Sequence, residues 1–234
     1  MKTVTRGYVP EDEKFFSKNS MIILKKAAQD IQYLINQGYP IKNSSVFVGN
    51  HYNLSERQRL ALVRSVSSEK QLETRKQNEL KNLLENSIIY IDGFNIIITL
   101  EVAFSKSPIF YCMDGTFRDL AGLRGTYRLI DKTDLAIREI GQALSKHQIQ
   151  KAMFYLDAPV SNSGRLGVRI KELLQNFNFE TEIIIINAVD HELKKHENVI
   201  TSDAIILDNC KSWYNLSKEI FEDNNLIKNV YQLF

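Results

Sequence analysis

The sequence predicts an α/β protein in which a three-layer domain with a mainly parallel sheet follows a small, mainly helical module. Two observations carry this. After residue 86, short apolar runs alternate with segments of helical spacing, and unbroken apolar runs suit strands covered on both faces. Before residue 86, apolar residues recur at i, i+3 and i+4 instead. The expected parts are a basic helical module with its connector over 1–86 and an α/β domain over 87–234.

A chain of 234 residues, 44% hydrophobic and 25% charged, can bury a sizeable core without cross-links. Its two cysteines, Cys112 and Cys210, are too few and too far apart for a disulfide framework or a four-ligand zinc site, so a reducing cytoplasm is expected. The most apolar stretch, 94–104, carries Glu101, and no membrane partner is expected. The N-terminus lacks the apolar segment of a signal peptide. Charge divides unevenly. Residues 1–86 hold 14 Lys/Arg against 9 Asp/Glu, while residues 87–234 hold 16 against 19. Such a split suits a part that attracts an anion beside a part that concentrates carboxylates.

Taken in order, Ser20 is expected to cap a helix carrying Ile23, Leu24, Ala27, Ala28, Ile31, Leu34 and Ile35, which Gly38 and Pro40 end. Val46, Phe47 and Val48 form a short apolar piece closed by Gly49 and Asn50. Ser55 and Gln58 make a capping box for the next helix. Residues 69–82 contain seven charges and read as a solvated connector helix. The expected strands are 88–91, 109–112, 152–156, 183–186 and 199–200, with helices over 133–146 and 163–177.

Carboxylates follow four of these strands. Asp92 ends the first, Asp157 follows 152–156, Asp190 comes after 183–186, and Asp203 comes after 199–200. Ligands of open α/β sheets bind at the carboxyl ends of the strands. Four aspartates on that edge repel one another unless a cation compensates them, and oxygen donors suit Mg²⁺ or Mn²⁺. A single aspartate there is more simply a helix cap; four favour a shared site.

The motifs I-D-G-F-N, F-Y-L-D-A and V-I-T-S-D, in this order, resemble the PIN/NYN group of metal-dependent ribonucleases over about residues 87–209. The segments RDLAGLRGTYR, DAPVSNSG and AAQDIQYLINQGYP are similar to an uncharacterised prokaryotic family that joins a small helical module to such a domain. The resemblance implies a PIN-like fold with Asp92, Asp157 and Asp203 as catalytic, metal-binding acids and Asp190 as a fourth ligand. Asn95 would hold the first strand–helix turn and Ser202 the last loop. It implies hydrolysis of RNA phosphodiesters, with Mg²⁺ or Mn²⁺ activating water and offsetting developing charge, and no His or Ser nucleophile. RNA, most simply single-stranded, is the implied partner, and a homo-oligomer is left open.

Around this site, Arg118, Arg124 and Arg128 could grip phosphate and Tyr127 could stack on a base, or the same residues could cover acidic neighbours on a surface turn. Ser161, Asn162 and Ser163 could hold a phosphate beside Asp157 or simply cap the following helix. Met113-Asp114-Gly115-Thr116 resembles a phosphatase motif whose nucleophile position is filled by Cys112, which cannot form an aspartyl-phosphate. His191 and His196, five residues apart, fall on different faces of a helix and cannot share zinc. Two alternatives stand beside the nuclease. One is the same fold without turnover, binding RNA or a nucleotide. The other is a metal-dependent phosphatase acting on small substrates.

Overall fold

The computed structural model describes residues 4–122 and 125–234. The helical module comprises α1 (Asp12–Phe15), α2 (Lys18–Asn36), α3 (Ile41–His51), α4 (Glu56–Ser65) and α5 (Glu69–Asn78). Ser17, rather than Ser20, caps α2, because its Oγ accepts from the Ser20 N–H. Gly38, at φ +88°, turns the chain after that helix. Leu24, Ala27, Ala28 and Ile31 form its buried stripe. The apolar piece Val46–Val48 belongs to α3, a helix too short and mixed for its period to stand out. The expected capping box at Ser55 and Gln58 is present, and Ser68 with Gln71 forms a second one.

The α/β part alternates β1 (Ile88–Asp92), α6 (Gly93–Phe104), β2 (Ile109–Tyr111), β3 (Phe117–Asp119), α7 (Asp131–Lys146), β4 (Lys151–Asp157) and α8 (Ser163–Leu174). It continues with β5 (Glu180–Ile186), α9 (Val189–Leu193), β6 (Val199–Ile200), α10 (Ala204–Leu207), α11 (Leu216–Asp223) and β7 (Val230–Gln232). Four strands form a wholly parallel sheet in the order β5-β4-β1-β6. Helices α6, α7 and α8 pack on one another and share a core with one face of the sheet. The other face is covered by Val189, Leu193, Ile206, Leu207 and Trp213. The architecture is therefore the three-layer α/β arrangement that the alternating pattern predicts.

One strand departs from expectation. The run 109–112 does not join the parallel sheet; β2 pairs antiparallel with β3 and parallel with β7 in a second, three-stranded sheet. That sheet ties the two parts together, because Phe110, Cys112, Leu120 and Leu233 are buried with the module's Leu24, Ile31 and Leu62 in one cluster. Burying each such side chain is worth about 1.5–3 kcal/mol. The connector is equally committed. Arg75 of α5 is 1% exposed, and the Trp213 indole N–H donates to its carbonyl at 2.7 Å. The other residues of α5 are exposed or half-buried, as expected of a solvated helix. No helix among the described residues is long and apolar enough to cross a membrane.

Candidate active site

All four strand-end carboxylates arrive at one place. Because β4, β1 and β6 run parallel, with Asp92 beside Tyr155 and Ile91 beside Ile200, the strands end together. Asp92, Asp157, Asp190 and Asp203 line a single cavity of about 430 Å³, joined by Asp119 and by Arg64 of α4.

Gly93 explains why the first motif must turn so tightly. A Cβ there would lie 2.6 Å from Leu156 Cδ2 and 3.0 Å from the Tyr155 carbonyl oxygen, so only glycine lets α6 start against β4. Asp92, at the end of β1, is 6% exposed and accepts a hydrogen bond from Thr201 Oγ1 at 2.9 Å. Burial pushes its carboxyl up to about 8, against the Thr201 hydrogen bond and helped by the charges of Asp203, Asp190 and Asp157. Asp157 and Asp190 are also raised. Burial is the leading cause for both, and the charges of Asp203 and Asp157 add to it at Asp190.

The last loop is held by the first helix. Asn95 Oδ1 accepts from both the backbone N–H and the Oγ of Ser202, at 2.8 and 2.9 Å. Thr201 Oγ1 in turn accepts from the Asp203 N–H at 3.0 Å. Asp203 Oδ1 caps α10 by accepting from Ile205 and Ile206 N–H. The cap reading and the shared-cavity reading thus hold for the same residue, since its other oxygen makes no hydrogen bond among the described residues. Thr201 is a site residue that its place inside the T-S-D motif could have revealed. Arg64 could not have been found that way, because it comes from a helix distant in sequence.

The phosphate-side candidates are mostly spent on the fold. Arg118 is buried: its Nη2 pairs with Asp114, its Nε donates to the Ser202 carbonyl at 2.6 Å and its Nη1 to the Arg64 carbonyl at 2.6 Å. Tyr127 is fully buried, its hydroxyl donating to Glu101 at 2.7 Å and its ring lying under the Arg6 guanidinium, so it has no face for a base. Ser163 donates to the carbonyls of Asp157 and Val160, and the Asn162 amide donates to the Tyr127 carbonyl at 2.7 Å. Both side chains serve the turn itself. Ser161 and Arg128 are exposed, and Arg124 lies outside the described residues. Asp114, in the phosphatase-like segment, is locked between Arg75 and Arg118. His196 stacks on Tyr90 with ring centroids 3.9 Å apart.

Among the described residues, no three His, Cys, Asp or Glu side chains form a ready metal cage. The donor chemistry nevertheless fits a hard divalent cation: four carboxylates, three of them raised toward the neutral form, face one cavity with Arg64 as its lining cation.

No solved structure matches the chain. An uncharacterised protein of Methanocaldococcus jannaschii is 39% identical over 203 residues, which span 85% of this chain and 97% of that protein. Residues 23–78 match a family described as a protein of unknown function, DUF434. Residues 81–219 match the family described as a domain of unknown function, DUF5616, and it is to this family that the chain belongs.

Proposed function

We propose that the chain is a Mg²⁺- or Mn²⁺-dependent ribonuclease of PIN/NYN type, cutting RNA at the carboxylate cavity. One observation carries the reading: four aspartates, from the ends of β1 and β4, from α9 and from the cap of α10, line one cavity, and Asp92 is held there at about 8 by burial and like charge. A buried carboxyl ringed by like charges is costly, and such groups cluster at functional sites. Asp92, Asp157, Asp190 and Asp203 would hold the cation. When bound, it would activate water and offset charge on the reacting phosphate. Thr201 orients the Asp92 carboxyl, and the Asn95–Ser202 bonds fix the loop that presents Asp203.

A second reading, the same fold binding RNA or a nucleotide without turnover, is favoured by the open spacing of the carboxylates. Cleavage separates the two. With Mn²⁺, the wild-type chain is expected to cut single-stranded RNA internally, and Asp157→Asn to bind the same RNA with a rate lower by orders of magnitude. Binding without cleavage under either metal would favour the second reading. Cleavage undiminished in Asp157→Asn would remove Asp157 from the reaction.

A further inference from the structure

Beside the carboxylate cavity lies a cleft of about 580 Å³, and the two share Arg64, Asn95 and Asp203 in their linings. One wall of the cleft is the helical module, from the end of α2 to α5. The other is the turn from β6 into α10. We infer that this cleft carries a single RNA strand to the carboxylates, with Arg64 on a phosphate and Tyr39 against a base. The inference rests on the nuclease reading above.

Charge points first to Arg64. The other cations lining the cleft are committed: Arg75 pairs with Asp114 and Asp208, and Arg118 with Asp114. The Arg64 guanidinium makes no ion pair or hydrogen bond among the described residues, although it lines a cavity with five aspartates. Its backbone is meanwhile anchored, since the Arg64 carbonyl accepts from Arg118. A guanidinium held at its base and unpaired at its tip can fork onto two phosphate oxygens. Placed where cleft and cavity meet, it would seat the phosphate next to the one being cut.

The walls favour unpaired bases. Tyr39 is 59% exposed on the cleft, carried there by the turn at Gly38. Ile205 is 52% exposed on the opposite wall, two residues after Asp203. A flat aromatic face, an apolar partner and one cation beside a row of carboxylates fit a strand whose bases are splayed out. A duplex hides those faces. The cleft also takes one wall from the residues that match each of the two families, Tyr39 and Arg64 from one and Asp203 and Ile205 from the other. A substrate path across this seam gives the pairing of the two parts a purpose.

The test uses the full chain with a short fluorescent oligouridylate carrying 4-thiouridine, in Ca²⁺ so that binding is read apart from cleavage. Arg64→Ala and Tyr39→Ala are each expected to weaken binding on the order of tenfold. Arg64→Ala should also reduce the slope of log K against log salt by about 0.7. Tyr33→Ala, an equally exposed tyrosine lining a separate hollow, should change neither. Photocrosslinks should fall on the cleft. Wild-type affinity in both Arg64→Ala and Tyr39→Ala, or crosslinks confined to another face, would overturn this path while leaving the nuclease reading in place. No binding by the wild-type chain would overturn both.

Discussion

Two clusters of charge, each built on a buried carboxyl, have opposite characters in this molecule. In the first, Asp114 sits between Arg75 and Arg118, with Asp208 closing the network. Burial alone would raise the Asp114 carboxyl, yet the two guanidiniums hold it below the usual carboxylate range. In the second, Asp92 meets Asp203, Asp190 and Asp157 and is pushed up to about 8. Paired buried ions fasten the helical module to the sheet. Asp203 also caps α10, but like charges gathered around a buried carboxyl cost stability, and the proposed cation would supply the charge they lack.

The sharpest way to break this contrast is to remove one member of each cluster. Asp114→Ala leaves two buried guanidiniums short of a partner and is expected to cost about 3–5 kcal/mol in urea unfolding. Asp92→Asn, without added metal, should leave the chain as stable as wild type or more so. Similar losses in both variants would erase the distinction.

The pH dependence follows with a smaller effect. Asp92 ordinarily ionises near 3.8 but holds its proton in the folded chain up to about 8. Between those values the unfolded state binds fewer protons, so stability falls as pH rises, by up to about 1.4 kcal/mol per pH unit. The decline ends above about pH 8. Asp114 acts in the opposite sense: its lowered carboxyl gives stability that is present above the usual carboxylate range and lost as pH falls through it. Thermal unfolding across pH 5 to 9 should therefore show a downward slope in wild type that flattens in Asp92→Asn.

The same contrast shows what a sequence can disclose. The parallel strands were legible because unbroken apolar runs need cover on both faces, and their aspartates were legible because strand ends share an edge. Asn95 and Ser202 were legible through the motif they belong to. Arg118 and Tyr127 were not. Arginine and tyrosine among glycines look exposed, and only the fold shows Arg118 reaching Asp114 and Tyr127 reaching Glu101. The second sheet was equally hidden, since β3 and β7 are three residues each and β7 pairs with a strand far earlier in the chain.

A smaller change sharpens the account of Asp92. Thr201→Val removes the hydrogen bond that favours the charged carboxylate and is expected to raise the Asp92 carboxyl further. The cost to stability should be about 1 kcal/mol at alkaline pH and less at pH 5, where the carboxyl is neutral. Denaturant titrations at the two pH values measure it.

The central claim is that the aspartate cluster is a cation site, and the shift in melting temperature on adding Mn²⁺ tests it most directly. A ligand bound only by the folded state raises the melting temperature, by an amount that grows with the logarithm of its affinity. At pH 8, where ionised carboxylates are more abundant, wild type should gain more from Mn²⁺ than at pH 6, and Asp92→Asn and Asp203→Asn should gain much less at either pH. An equal gain in wild type and both variants would contradict the claim.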